Sequence, residues 1–583
     1  MEDIDKFSNN KKYLTWFKKL GQVFKNIFIG NTVNKKILRN YLYAVLVGTI
    51  LLMTPWAVSK NYQWDFLTAL FTASSSFSDT GLSLTSPAKD LSFFGQIVLL
   101  LLIQIGGIGI MTLKIILFIV IGKNISIEER MLLQSERGNT KLGGTVQLIK
   151  NAFYVLAIVE ITGGVMLFFY FYFTPIDYLD SLKSQSINSI VELLEKSFNT
   201  PDNFKEMLIA KVSDWENFVT AEKEFSKELA QIINGVTNKY DSNSIGFLQI
   251  IDNDYLQQLI TKNFNVTYRN FGSSFWSGIF HSVSATNNAG FDIIGPNSLS
   301  PYRTQYFVQV VFLVQLIIGG IGYPVFYDLK QKAVARYRSI KVNFSLFTKI
   351  NVIYYFSISF IGILAVILVE YFVPTKFSNI FIDGGIRNVT NNNAETLMAI
   401  IFNTFSTRSA GYSTIDISYF KLPSKFIFLI LMWIGASPSS TGGGIRTTTL
   451  ALVMMSIIAS ATRKNNINMF KAKVPNETAK RATAVFIMAI LIVFLVSLII
   501  VSENVQVPIV EALFISSSAF GTAGLTTIPD FGLSFSDYGV ISKLFLISLM
   551  FIGQLGVSNT LLLAARKNEI ERFAYLEQDV PIG

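Results

Sequence analysis

The chain contains no cysteine and a single histidine, His281. Disulfides, thiolate catalysis, Cys/His zinc sites and bis-histidine haem are thereby excluded. Charge is also scarce. Asp, Glu, Lys and Arg make up 15% of the 583 residues, against about 25% in ordinary soluble chains. A soluble protein of this length needs more charge to cover its surface, and disorder fits no better. Hydrophobic residues reach 51%, so the expected solvent is the bilayer. The net charge of +10 raises nucleic acid as a partner. The basic residues gather instead in a few polar stretches between apolar runs, the pattern of cytoplasmic loops, and no nucleic-acid partner is expected.

Eight apolar runs reach or exceed the ~20 residues that cross a hydrocarbon core. They lie near 40–58, 93–121, 150–174, 303–327, 346–373, 423–460, 481–502 and 537–565. Four shorter runs, near 65–78, 274–286, 395–407 and 508–521, are too short to span and read as re-entrant helices. Basic residues crowd the N-terminal arm and the loops after spans two, four and six: Lys35, Lys36 and Arg39; Lys123, Arg130, Arg137, Lys141 and Lys150; Lys330 to Lys349; Arg463 to Arg481. Opposite loops carry few, such as Lys60 and Lys89. Both termini are therefore expected in the cytoplasm, and the N-terminal arm does not read as a cleaved signal.

The short runs share a pattern. Each ends in small or polar residues, then Gly, then a large residue: Thr80-Gly81-Leu82, Ala289-Gly290-Phe291, Ala410-Gly411-Tyr412 and Ala523-Gly524-Leu525. Ten residues before each Gly stands Phe71, Phe280, Ile401 or Phe514; sixteen before stands Asp65, Ser274, Glu395 or Pro508, all suited to a helix start. The separations 81→290, 290→411 and 411→524 are 209, 121 and 113 residues. The first shrinks into line without the polar stretch 176–270, which reads as an extracellular insertion. The repeat is then about 115 residues long.

These observations imply an all-α integral membrane protein. Four span–pore-helix–span repeats, with eight transmembrane helices and four re-entrant pore helices, would surround a pseudo-fourfold pore. Residues 1–39 form a basic cytoplasmic arm. Residues 40–122, 123–327, 328–460 and 461–570 form the repeats, and 571–583 a cytoplasmic tail. Short helices would aim their partially negative C-termini at the axis, favouring a cation. The residues that follow would present carbonyls able to replace the water around K⁺. Taken singly, each Gly reads first as an ordinary helix cap or turn; four at one offset point to an ion filter at Thr80, Gly81, Ala289, Gly290, Ala410, Gly411, Ala523 and Gly524. Asn288, Asp292 and Asp416 are candidates for the ion path and outer mouth, with a loop acid bonded to backbone as the alternative for both acids. His281 reads as a packing residue.

Glycine clusters occupy the second span of each repeat: Gly106, Gly107 and Gly109; Gly319, Gly320 and Gly322; Gly553 and Gly556. Close helix packing accounts for them. The third repeat is different. Gly435, Ala436, Ser437, Pro438, Ser439, Ser440, Thr441, Gly442, Gly443 and Gly444 cannot continue a regular helix. A loop at mid-membrane under the filter reads as a gate, with a passive kink as the alternative. Lys114 can snorkel to the interface, which leaves Glu160 as the anomalous charge within a span.

With these segments in view, the chain resembles the Trk/Ktr/HKT superfamily of potassium transporters, most closely the bacterial Ktr-type membrane subunit. The segments that carry the likeness are Gln104 to Gly109, Asn288 to Asp292, Ser409 to Tyr412 and Trp433 to Thr449. The resemblance implies K⁺ translocation, Na⁺ dependence in some members, a homodimer, and a cytoplasmic ring of nucleotide-binding regulatory subunits reading ATP/ADP or NAD. It implies a cell-membrane location and no bound cofactor, K⁺ or Na⁺ being the transported ion. There are two departures. Gln554 stands where the family has an Arg below the filter, and 176–270 matches no family segment. A coupled secondary transporter of another cation or small organic solute is the alternative; an intramembrane enzyme would need more embedded ionisable groups.

Overall fold

The computed structural model of the chain describes residues 33–59, 64–121, 125–126, 129–131, 145–175, 267–295, 298–373, 385–388, 390, 392–464, 466–527 and 537–564. Most of the N-terminal arm, nearly all of the insertion 176–270, Lys60, Lys123, Arg137, Lys141 and the C-terminal tail lie outside the described residues.

One order of elements recurs four times. The first set is α1 (Val33–Leu52), α2 (Phe66–Phe77), α3 (Phe93–Ile108) and α4 (Ile110–Ile121). The second is α5 (Thr145–Phe173), α6 (Phe271–Thr286), α7 (Tyr306–Ile321) and α8 (Tyr323–Tyr337). The third is α9 (Leu346–Phe372), α10 (Asn393–Ser406), α11 (Leu422–Trp433) and α12 (Thr447–Ala461). The fourth is α13 (Asn476–Glu503), α14 (Ile509–Gly521), α15 (Val540–Leu555) and α16 (Val557–Ala564).

Two expectations about regular structure need correction. Spans two, four and eight are not continuous. Gly109, Gly322 and Gly556 end α3, α7 and α15 at φ of 83°, 94° and 86°, a left-handed region that opposes side chains. The chain turns by 90° between α3 and α4 and by 95° between α7 and α8, where Pro324 follows the bend. By length and composition, three of the described helices can cross a membrane, α5, α9 and α13, or five if each bent pair counts as one. The chain is also not purely helical. Ile467–Met469 (β1) and Ala472–Val474 (β2) pair antiparallel. Phe470 and Lys471, both at positive φ, form a two-residue turn whose twist suits a hairpin. Ile467, Met469 and Val474 bury their side chains against Ile350 and Ala451, which compensates for strands of three residues.

The outward faces of the long helices are apolar. Ile161, Phe360 and Leu495 are 66%, 67% and 57% exposed, an arrangement suited to lipid. Four of the hydrophobic cores among the described residues each borrow from the next set of helices. Tyr41, Ala73, Phe77 and Leu99 enclose Phe280, Ala289 and Phe291 of the second set. Phe171, Ala285 and Phe312 enclose Phe402, Ala410 and Tyr412 of the third. Ile400, Phe428 and Met432 enclose Phe514, Ala523 and Leu525 of the fourth. Val493, Ala519 and Leu549 enclose Phe71 and Leu82 of the first. The residue ten before the Gly thus anchors three of the short helices. In the third, Phe402 takes that place and Ile401 packs at the margin.

In the first, second and fourth sets the short helix rests on a glycine of the helix that follows. A Cβ on Gly106 would strike the Phe77 carbonyl, on Gly319 that of Thr286, and on Gly553 that of Phe520. Gly553→Ala is therefore expected to cost about 1–3 kcal/mol through overpacking, read as a lower melting temperature in detergent. Gly272→Ala, whose nearest atom stands 3.8 Å away, leaves the melting temperature unchanged or higher.

Candidate functional site

The four short helices bring the predicted glycines together. Asp65 caps α2 through a 2.9 Å bond from Thr68 N, and Asn392 caps α10 through 2.8 Å from Glu395 N. The helix α6 starts a turn earlier than Ser274, at its cap Asn270. After each short helix the chain adopts one conformation. The second residue before the Gly has positive φ: Asp79 (50°), Asn288 (57°), Ser409 (83°) and Thr522 (47°). The Gly follows at 84°, 71°, 77° and 72° for Gly81, Gly290, Gly411 and Gly524. Backbone bonds fix these turns. Thr80 N, Ala289 N and Ala523 N donate to the carbonyls of Ser75, Ser284 and Ser518 at 2.9, 2.8 and 2.8 Å, and Ala410 N donates to Ser406 O at 2.9 Å.

The segments close on one another in cyclic order. A Cβ on Gly81 would lie 2.5 Å from Ala289 O, one on Gly290 2.7 Å from Ala410 O, and one on Gly411 2.9 Å from Ala523 O. A Cβ on Gly524 would strike Thr80 O, which returns to the first segment. Each glycine thus seats the carbonyl of the residue before its neighbour's glycine. Four carbonyl oxygens, of Thr80, Ala289, Ala410 and Ala523, stand in this ring, and no side chain fits between them. Such a ring can replace part of the hydration shell of a cation.

Side chains behind the ring hold it open to no other geometry. Tyr412 Oη donates to Phe291 O at 3.0 Å, joining the second and third segments. Ser409 Oγ lies 2.8 Å from Thr522 Oγ1, joining the third and fourth. His281 is fully buried, with Nδ1 2.7 Å from Ser277 O and Nε2 accepting from Ile293 N at 3.2 Å. It supports the segment as a packing residue would. The Asn288 amide, its nitrogen toward Leu316 O (3.1 Å) and its oxygen toward Gly320 N (3.2 Å), bonds to α7. Asp292 accepts from Ile294 N at 3.3 Å, and Asp416 from Ser418 N at 2.8 Å. Both acids are bonded to loop backbone, the alternative left open by the sequence.

Glu160, the anomalous acid, lies behind the second segment. Its carboxylate accepts from Gln104 Nε2 at 3.1 Å and from Asn287 Nδ2 at 3.1 Å. Asn287 stands three before Gly290, so this acid positions a residue of the ring's support. No spacing in the sequence connects residues 160 and 287.

The 435–444 segment packs against the ring's inner supports. Its neck closes through Ala436 N to Gly443 O and Ile445 N to Trp433 O, both 3.1 Å. Its tip docks on the end of α7: Ser437 N donates to Gly320 O at 3.0 Å, and Tyr323 N to Ser439 O at 2.9 Å. Gly443 N donates to Thr522 Oγ1 at 2.7 Å and Ser409 Oγ at 3.1 Å. The loop is thus tied to residues two before the third and fourth glycines. Gln554 stands at the same level. Its side-chain Nε2 donates to Asp79 Oδ2 at 3.3 Å and its backbone carbonyl accepts from Arg446 Nη2 at 3.0 Å, while Arg446 Nη1 donates to Gly442 O.

Comparison with known proteins gives the family and the fold. The family model of the TrkH cation transport proteins matches residues 20–203 and 250–574. The unmatched interval falls inside the polar stretch 176–270. A relative from Mycoplasma genitalium, named as cation transporter MG322, is 31% identical over 98% of this chain and 100% of its own length. Ktr system potassium uptake protein D of Bacillus subtilis is 30% identical over 93% of this chain and 95% of its own. In fold the chain is similar to the potassium transporter TrkH of Vibrio parahaemolyticus, with a TM-score of 0.54 at 15% identity, covering 90% of this chain and 84% of that one.

The ring makes one position decisive. Gly524→Ala forces an L residue into left-handed backbone, at about 1–2 kcal/mol, and sets a methyl group against Thr80 O. Cation uptake into proteoliposomes is expected to fall at least about tenfold, a change of 1.4 kcal/mol corresponding to that factor. Unchanged uptake would mean that the ring is not on the ion's path.

Proposed function

This chain belongs to the TrkH family of cation transport proteins, whose members are ion transporters and not enzymes, and from that premise we propose that it is a potassium-translocating membrane subunit. K⁺ passes, partly dehydrated, through the ring of carbonyls at Thr80, Ala289, Ala410 and Ala523, with Gly81, Gly290, Gly411 and Gly524 keeping the centre free of side chains. The observation that carries this reading is the cyclic order in which each glycine seats the next segment's carbonyl. It supports a pseudo-fourfold pore made of four span–pore-helix–span repeats. Two sequence relatives from Bacillus subtilis, 30% and 26% identical to this chain, are named as potassium uptake proteins, which favours K⁺ as the ion.

The 435–444 loop is the gate. It lies against Ser409 and Thr522, immediately on the inner side of the ring, and Gly443 N bonds there to hydroxyl groups that water can replace. Gln554, with Asp79 and Arg446, lines the passage beside it. Asp292 and Asp416 flank the outer mouth as loop acids. The chain works as a homodimer in the cell membrane, with both termini in the cytoplasm. A cytoplasmic ring of nucleotide-binding subunits acts on the gate from that side.

The test is K⁺ and Na⁺ flux into proteoliposomes, with Gly290→Ser in parallel. K⁺-selective uptake is expected, weakened or opened to Na⁺ by the substitution. Replacing residues 437–441 by Gly-Gly is expected to raise K⁺ flux several-fold. If neither ion moves, with or without regulatory subunits added, the carbonyl-filter reading fails and organic-solute transport takes its place.

A further inference from the structure

Arg408 stands three residues before Gly411 and is 1% exposed. Burying a guanidinium is costly unless its donors are met. Among the described residues no carboxylate pairs with it. All its partners are neutral. Nη1 donates to Ser359 Oγ at 3.2 Å and to Tyr355 O at 3.4 Å, both on α9, and the group lies 4.8 Å over the Tyr355 ring. Nη2 donates to Gly435 O at 2.8 Å.

That last bond is informative because of where Gly435 sits. It is the first residue of the loop, at the neck, where a Cβ would strike Gly443 O. The guanidinium therefore ties three things together: the outer helix α9, the neck of the loop, and the third filter segment that carries it. The planar fork of Arg can serve both sides at once, which the point charge of Lys cannot. The other contacts of the loop are of a different kind. At its tip, Ser437 and Ser439 meet the end of α7 through neutral backbone bonds.

We propose that Arg408 is a positioning residue that anchors the neck of the 435–444 loop to the third filter segment, so that the tip swings while the neck stays fixed. This rests on the reading of the loop as the gate. In the closed state, the charge-assisted bond to Gly435 O holds the neck at the height where Gly443 N reaches Ser409 and Thr522. Without it the neck loses its charge-assisted bond, only Arg446 Nη1 still gripping the far limb at Gly442 O, and the loop opens more often.

The experiment measures K⁺ and Na⁺ flux in proteoliposomes for Arg408→Gln, Arg408→Lys and Ser359→Ala. Each is made in the full chain and in the chain with 437–441 replaced by Gly-Gly. In the full chain, Arg408→Gln is expected to raise unregulated K⁺ flux roughly tenfold, the factor one charge-assisted hydrogen bond carries, with the K⁺/Na⁺ ratio unchanged. Arg408→Lys gives an intermediate rise. Ser359→Ala, which removes one acceptor without touching the gate, moves flux the same way by less. In the shortened-loop chain none of the three adds to the flux. A fall in K⁺/Na⁺ discrimination of equal size in both chains would overturn the proposal and make Arg408 a support of the filter alone. So would unchanged flux from a folded Arg408→Gln protein. If that variant does not fold, Ser359→Ala decides: no rise in the full chain, or an equal rise in both, overturns the anchor. A shortened loop that leaves wild-type flux unchanged would instead refute the gate reading itself.

Discussion

The structure depends on one steric fact: a carbonyl oxygen is seated where a Cβ would otherwise be. This happens at Gly81, Gly290, Gly411 and Gly524, each time with the neighbour's carbonyl as the guest, and the fourth contact returns to the first segment. Everything around the ring serves that approach. The short helices deliver the segments, Gly106, Gly319 and Gly553 let three of those helices lie close to the helices behind them, and four hydrophobic cores take in the large residues that follow the glycines, Phe291, Tyr412, Leu525 and Leu82. Polar side chains in this setting are not scattered. Ser, Thr and Asn at the ends of the short helices bond the turns that hold the left-handed residues in place.

Three charges in the described body are tied to the ring, whereas the buried Arg303–Glu395 pair, at 3.1 Å, joins the second and third sets of helices. Glu160 holds Asn287 behind the second segment. Arg408 holds Gly435 from behind the third. Asp79 belongs to the first segment itself and meets the Gln554 amide of the fourth set. In each case the charged group meets neutral amides, carbonyls or hydroxyls, which stabilise it at short range without adding a second full charge near the path. The neutral Gln554 fits this pattern: its side-chain amide meets Asp79, while Arg446 bonds to its backbone carbonyl.

Much of this was legible in the sequence because it is repeated. The glycines, the large residue ten before them and the polar helix starts share one offset in four copies, and a common physical demand leaves a common trace. Where the demand differed between copies the trace failed. Phe402 rather than Ile401 anchors α10, and α6 begins at Asn270. The bends at Gly109, Gly322 and Gly556 were hidden because a glycine in an apolar run serves packing and bending equally; only the break with four glycines and a proline announced itself. The hairpin at 467–474 was too short to show alternation. Arg408 and Glu160 act through partners 27 and 127 residues away, and no periodicity encodes such pairs.

The closure of the ring also constrains how the molecule is made. Thr80 is seated by Gly524, Leu82 lies in a core built by α13 to α15, and Asp79 meets Gln554 across 475 residues of chain. Contacts of such sequence separation form late. The first ring segment therefore leaves the ribosome long before the surface that holds it exists. It must wait in the membrane with its left-handed turn unsupported. Biosynthesis of this protein ends by completing its beginning, and a chain cut short in its last quarter loses the first segment of the ring along with the last.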